Sequence, residues 1–96
     1  MASVLDACGM KKHPRPLIAK ETFSRNVGLV RRVKNLSQEK VAEMADLHRT
    51  YVGQIERGDV TPTLDAAERV ARALGLELWE ALHPNFSVDA LIDRER

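Results

Sequence analysis

Ninety-six residues with 44% hydrophobic content can bury one core and are too few for two ordinary domains. Apolar stretches run only a few residues, too short to span a bilayer, and four aromatic residues against Ala, Leu, Glu and Arg recurring at spacings of three and four predict an all-helical chain. The net charge of +1 hides an asymmetry: residues 11–40 hold nine Lys/Arg and two Glu, whereas residues 41–96 hold six Lys/Arg and eleven Asp/Glu, so the basic half could face an anionic partner such as nucleic-acid phosphates or form a solvated surface.

The first ten residues, MASVLDACGM, place Asp6 inside the apolar run with no positive charge before it and fail as a secretory signal. Leu5-Asp6-Ala7-Cys8 has a faint likeness to a lipoprotein box but lacks the preceding charged and apolar regions, so a disordered leader is the expectation. A single cysteine forms no intrachain disulfide, and the triplets Asn35-Leu36-Ser37 and Asn85-Phe86-Ser87 carry no meaning without secretion; the expected compartment is the cytoplasm. Gly9, Pro14 and Pro16 among Lys11, Lys12, His13 and Arg15 suit a flexible basic arm over residues 1–20 rather than a helix.

From Thr22 the pattern turns helical. Phe23, Val27, Val30 and Val33 share one stripe, with Arg25, Arg31, Arg32 and Lys34 elsewhere, predicting a first helix that ends at Asn35. Asn35 suits a left-handed closing residue, and Ser37 caps a second helix that starts at Gln38 and turns Val41, Ala42 and Ala45 inward. Asp46 then interrupts the apolar period. Asp tolerates positive φ better than most residues, so a tight turn at Asp46 is expected, with Leu47 plugging the corner. A third helix begins near His48, buries Val52 and Ile55, turns Arg49, Thr50, Gly53 and Gln54 outward, and stops at Gly58. Asp59-Val60-Thr61-Pro62 reads as a loop. Thr63 caps a fourth helix with Asp65 in its first turn and Leu64, Ala67, Val70, Ala71 and Leu74 as its core stripe, closed by Gly75. A short fifth helix carries Leu78, Trp79 and Leu82 before Pro84. Residues Ser87 to Ala90 can cap a last turn or two containing Leu91 and Ile92.

Two short helices joined by a tight turn, the second with a polar outer face, form the helix-turn-helix arrangement, whose second helix enters the DNA major groove. Ser37-Gln38-Glu39, Val41-Ala42, Leu47, Tyr51-Val52, Ile55-Glu56-Arg57-Gly58 and Pro62-Thr63-Leu64 together resemble the Cro/C1-type (XRE) helix-turn-helix family over residues 22–83. His48-Arg49-Thr50-Tyr51 with Ile55-Glu56-Arg57-Gly58 most resembles the controller regulators of restriction-modification systems. Where the family usually has Gly, this chain has Asn35 and Asp46, both tolerant of the left-handed conformation. Asp59 stands where relatives often carry Lys or Arg.

The resemblance implies a five-helix, lambda-repressor-like domain over residues 21–83, with residues 84–96 as a C-terminal extension that contributes to dimerisation. A groove about 12 Å wide admits one helix, and side chains on its outer face near the N-terminus reach base edges. The base-contacting candidates are Arg49, whose fork matches guanine O6 and N7, then Thr50, Gln54 and His48; a solvated surface role is the alternative for each. The phosphate-contacting candidates are Gln38, Ser37, Tyr51 and Thr61, although the Tyr51 ring could equally brace the third helix. Gly53 either lets the helix approach DNA closely or is a neutral small residue. The resemblance pairs Arg31 with Glu56, a structural tie between the first and third helices, and gives Asp46 and Asn35 structural roles at the turns. The basic arm either follows DNA or stays a solubilising tail.

Trp79, Leu82, Phe86, Leu91 and Ile92 offer more apolar surface than five short helices hide, which suggests a homodimer; intramolecular packing explains Trp79 equally well. An enzyme is not expected, because His13, His48 and His83 are scattered, Cys8 stands in a tail, and no nucleophile elbow or phosphate loop occurs. No cofactor and no metal site is expected. The expectation is a regulator of transcription on double-stranded DNA, repressing where it covers a promoter and activating where it touches RNA polymerase. The rival is an antitoxin or other protein-binding helix-turn-helix module.

Overall fold

The computed structural model describes residues 16–94, which form α1 (Ala19–Val33), α2 (Gln38–Ala45), α3 (Arg49–Arg57), α4 (Leu64–Ala73), α5 (Leu78–Ala81) and α6 (Val88–Arg94), with no strand among the described residues. Asp6, Cys8, Lys11, Lys12, His13 and Arg15 lie outside the described residues. The expected start of the first helix at Thr22 is corrected: α1 begins at Ala19. Ala19, Lys20 and Glu21 are good helix formers, Glu21 complements the positive helix start, and Pro16 is the last breaker before them. Its end is corrected from Asn35 to Val33, and Thr22 is buried rather than at the boundary.

Four successive helices end in one way. Asn35, Asp46, Gly58 and Gly75 all have positive φ, between 58° and 80°, and at each of them two backbone bonds fold the chain back. After α1 the Asn35 N–H donates to Arg32 O at 3.0 Å and Leu36 N–H to Arg31 O at 3.0 Å. After α2 the matching pair is Asp46 to Glu43 and Leu47 to Ala42; after α3, Gly58 to Ile55 and Asp59 to Gln54; after α4, Gly75 to Arg72 and Leu76 to Ala71. This is the Schellman arrangement, which satisfies the orphan carbonyls of a helix end and turns the following residue inward. Leu36, Leu47 and Leu76 all pack on the core. Entry into the next helix is capped as promptly: Ser37 Oγ accepts from Lys40 N–H at 2.9 Å, and Thr63 Oγ1 from Ala66 N–H at 3.1 Å.

The core collects Phe23, Val27 and Val30 from α1, Val41, Ala42 and Ala45 from α2, Val52 and Ile55 from α3, and Ala67, Val70, Ala71 and Leu74 from α4, with Leu76, Ala81 and Leu91. α2 packs against α3 and α4, and α1 against α3 and α5. Two expected core residues are corrected. Val33 is 46% exposed, since at about 100° per residue it has turned some 120° from Val27 to the margin of the stripe. Leu64 is 75% exposed; it is the first residue of α4, and Cα–Cβ bonds tilt toward the helix start, so its side chain overshoots its neighbours. Trp79, 67% exposed, is not packed in the core, which overturns the intramolecular account of it. The last turns foreseen near Leu91 are a full helix, α6, and Leu91 is buried in the same core.

Candidate nucleic-acid interface

The bend between α2 and α3 is built from its residues upward. Asp46 adopts φ 58°, ψ 48°, and Leu47, anchored through Ala42 O at 2.9 Å, leans on the core as the corner plug. His48 is extended, at φ −75°, ψ 141°, and its ring caps α3: Nδ1 accepts from Thr50 N–H at 3.1 Å. With Nδ1 an acceptor, the neutral ring carries its proton on Nε2, leaving that atom a donor. From α4, Arg69 Nη1 lies 3.8 Å from Asp46 Oδ2, an exposed contact that adds little.

α3 divides by face. Val52 and Ile55 are fully buried; His48, Arg49 and Thr50 are exposed, and Gln54 is half-buried. The side chains of Arg49, Thr50 and Gln54 make no hydrogen bond or ion pair with any described residue. Tyr51 is half-buried against the core, the geometry of a brace. Gly53 is corrected: it does not share the outward face but is buried beneath Gln38, because the Gln38 side chain folds over it from the start of α2.

Glu56 holds the neighbouring elements together. Arg31 Nε donates to its Oε2 at 2.6 Å and Arg31 Nη2 to its Oε1 at 3.1 Å, while Arg31 Nη1 reaches Leu36 O at 2.8 Å. Gln38 Nε2 donates to Glu56 Oε1 at 3.2 Å. The Arg31 and Glu56 side chains are 16% and 8% exposed, so the bidentate pair works with little water near it, as such geometry requires. Three helices, α1, α2 and α3, meet on one carboxylate.

Two further fasteners escaped the sequence reading. Ser24 Oγ donates to Ile55 O at 2.7 Å, and Asn26 Nδ2 donates to the carbonyls of Ala81 at 2.9 Å and His83 at 3.1 Å. A signal existed for Asn26: it stands three residues from Phe23 and four from Val30, on the apolar stripe, where a polar group needs a partner.

Of the remaining candidates, Gln38 is half-buried at the head of α2, Ser37 is exposed with its oxygen accepting from Lys40, and Thr61 is exposed in the loop before α4. In that loop Asp59 Oδ2 accepts from Arg57 Nε at 2.9 Å, with both side chains largely in water. Among the described residues no group of three or more His, Cys, Asp or Glu is placed to hold a metal ion, and no helix is long and apolar enough to cross a membrane.

A family model described as helix-turn-helix matches residues 30–78, a span that holds the bend, both of its helices and the whole of α4. The chain is 41% identical over 63 residues to the control protein C.SmaI of Serratia marcescens, covering 66% of this chain and 75% of that protein. It is 46% identical over 56 residues to the control protein C.BamHI of Bacillus amyloliquefaciens, covering 57% of this chain and 69% of that one. Among solved structures it is similar to the restriction-modification controller protein C.AhdI from Aeromonas hydrophila, with a TM-score of 0.60 at 37% identity over 62% of this chain and 91% of that one. With the bend at Asp46, the exposed head of α3 and these likenesses together, the chain belongs to the Cro/C1-type (XRE) helix-turn-helix family of DNA-binding transcriptional regulators.

Proposed function

We propose that the protein acts as a homodimer on a near-palindromic operator, with α3 in the major groove of each half-site. The observation that carries this reading is the exposed head of α3, where Arg49 and Thr50 extend into solvent without a partner among the described residues. Arg49 suits two hydrogen bonds to guanine O6 and N7, Thr50 a base acceptor or a thymine methyl, and Gln54, about one turn on, a paired contact to adenine. His48, with its Nε2–H free to donate, suits a phosphate oxygen or a purine N7.

Register on the duplex comes from groups that read no sequence. Gln38 at the positive start of α2 donates to a phosphate; Ser37, whose oxygen already accepts a capping bond, keeps its own O–H for another. Tyr51 braces α3 while offering its hydroxyl to the backbone, and Thr61 adds a contact from its loop. Trp79 and Ile92, exposed on α5 and α6, supply apolar area for two-fold pairing, which sets the recognition helices about 34 Å apart, one DNA turn. The controller likeness supports a regulatory role; in this reading the protein's own concentration is the input, with repression where the dimer covers a promoter and activation where it touches RNA polymerase.

Selection of bound DNA from a random pool tests the whole reading. The expected product is a motif with two related half-sites about one turn apart. A single unsymmetrical half-site sinks the dimer, and a pool with no enriched motif sinks sequence reading altogether, leaving a protein-binding module.

A further inference from the structure

Glycine is the poorest helix former after proline, so one inside a helix without positive φ needs a spatial reason. Gly53 is such a residue: it is buried in the middle of α3 and absent from the positive-φ positions. A Cβ built there would lie 3.2 Å from Arg57 Nη1, 3.4 Å from Gln38 Oε1 and 3.9 Å from Gln38 Cδ. The Gln38 carboxamide therefore crosses the recognition helix on bare backbone, and beyond Gly53 its Nε2 ends on Glu56 Oε1 at 3.2 Å. Arg57 can swing away from an added methyl, being largely in water. Gln38 cannot move as freely, because retreat from position 53 strains its bond to a carboxylate already gripped by Arg31.

We infer that Gly53 is a positioning residue for DNA: its missing side chain is the seat that lets Glu56 hold Gln38 in one orientation, with one amide hydrogen on Glu56 and the other left for a phosphate. This rests on the reading of Gln38 as a phosphate contact. Glu56 thereby couples the backbone grip at the head of α2 to the pitch of α3. Gly53 acts on affinity through Gln38 and leaves the base preference of Arg49 untouched.

The test uses the full chain, with binding measured on the selected operator and on a random duplex beside thermal melts, for Gly53→Ala, Gly53→Leu, Gln38→Ala and the variant combining Gly53→Leu with Gln38→Ala. Gly53→Leu should lose about tenfold on both duplexes, the scale of one hydrogen bond to a charged group, and should lose nothing further once Gln38 is Ala. Gly53→Ala should melt higher while binding more weakly, a split that a merely structural role does not produce, and it carries the test if the Leu variant fails to fold. In the free protein, the Gln38 side-chain amide proton that rests on Glu56 should exchange with solvent more slowly than its geminal partner, and the difference should vanish in Gly53→Leu. Equal losses from Gly53→Leu with Gln or Ala at position 38, or amide protons indifferent to residue 53, overturn the proposal. If Gln38→Ala binds DNA like the parent while the amide signature still follows residue 53, the phosphate role of Gln38 is what failed, and the effect of Gly53 on DNA falls with it.

Discussion

Helices α1, α2 and α3 are fastened to one another by directional bonds out of water, whereas α5 and α6 are joined to each other by a contact at the surface, with Asn26 of α1 holding only α5 from within. Between α1, α2 and α3 run the Arg31–Glu56 pair, the Gln38 amide and the Ser24 hydroxyl on Ile55 O. Between α5 and α6, among the described residues, Arg94 Nη1 donates to Glu80 Oε2 at 2.8 Å, with Arg94 about half exposed, while Leu91 is buried and Trp79 and Ile92 face outward. Apolar packing would hold α3 in place but tolerate rotation, whereas a bidentate ion pair admits one orientation. Under the proposed function the difference fits two tasks: one side would aim side chains at base edges, and the other would offer area to a second copy.

Removing Glu56 should break this comparison most severely. Glu56→Ala strands the Arg31 guanidinium in a nearly dry site, and the expected loss is about 3 kcal/mol of folding stability, read from denaturant midpoints with the slope unchanged. A loss below 1 kcal/mol would mean that water already reaches the pair. On the same side but outside the fasteners, Arg49→Ala should leave stability intact and cost about 1–3 kcal/mol on the operator with little change on random DNA. Equal losses on both duplexes would demote Arg49 to a phosphate contact. Across the molecule, Trp79→Ala should not perturb the monomer fold, because the indole is two-thirds exposed. It should weaken self-association by about 2 kcal/mol, the scale of an interface anchor, visible by sedimentation as a concentration-dependent shift. A monomeric parent protein would sink that prediction outright.

The legibility of the two sides in the sequence differed for the same physical reason. Asn35, Asp46, Gly58 and Gly75 announced the four helix ends because tolerance of positive φ belongs to the residue itself, whatever surrounds it. The stripes of α2 and α3 followed from helical period alone. Period gives a face but not what covers it along the axis, and so Val33 and Leu64 were assigned to the core and Gly53 to the wrong face. Ser24 hid its role, and Asn26 hid its partners though not its need of one, because the acceptors are backbone carbonyls 31 to 57 residues away, which no local pattern encodes. Arg31 and Glu56 were named through family likeness; the Gln38 link between them and the head of α2 was not.

The turn at Asp46 allows a smaller test on the directional side. A non-glycine residue held at φ 58° costs on the order of 1 kcal/mol, less for Asp than for most. Asp46→Gly should therefore gain up to about 1 kcal/mol and Asp46→Ala lose a similar amount, with Arg69 contributing little to either because its contact is exposed. The same pair of substitutions at Asn35 should give the same signs. If Asp46→Gly also lowers operator affinity while raising the melting temperature, the aspartate restrains the angle between α2 and α3 beyond what its backbone conformation requires.

Acid should separate the two sides with the smallest effect. The Glu77 backbone N–H, donating to Glu80 Oε1 at 2.9 Å, holds the Glu80 carboxyl below its ordinary value; burial opposes this, and the Arg94 guanidinium adds to the lowering. A carboxyl whose folded value is depressed contributes stability that is fully present above its unfolded value and is lost as pH falls through the folded one. The tie between α5 and α6 should therefore persist at neutral pH and weaken below about pH 4, the ordinary carboxylate range. Because Arg94 is about half in water, the expected loss is a few tenths of a kcal/mol, too small to unfold the chain. Amide exchange is the fitting readout: protection in α6 should fall on acidification in the parent protein and be low already at neutral pH in Glu80→Gln. α6 protection that is identical in the two proteins across this range would assign the docking of α6 to Leu91 alone.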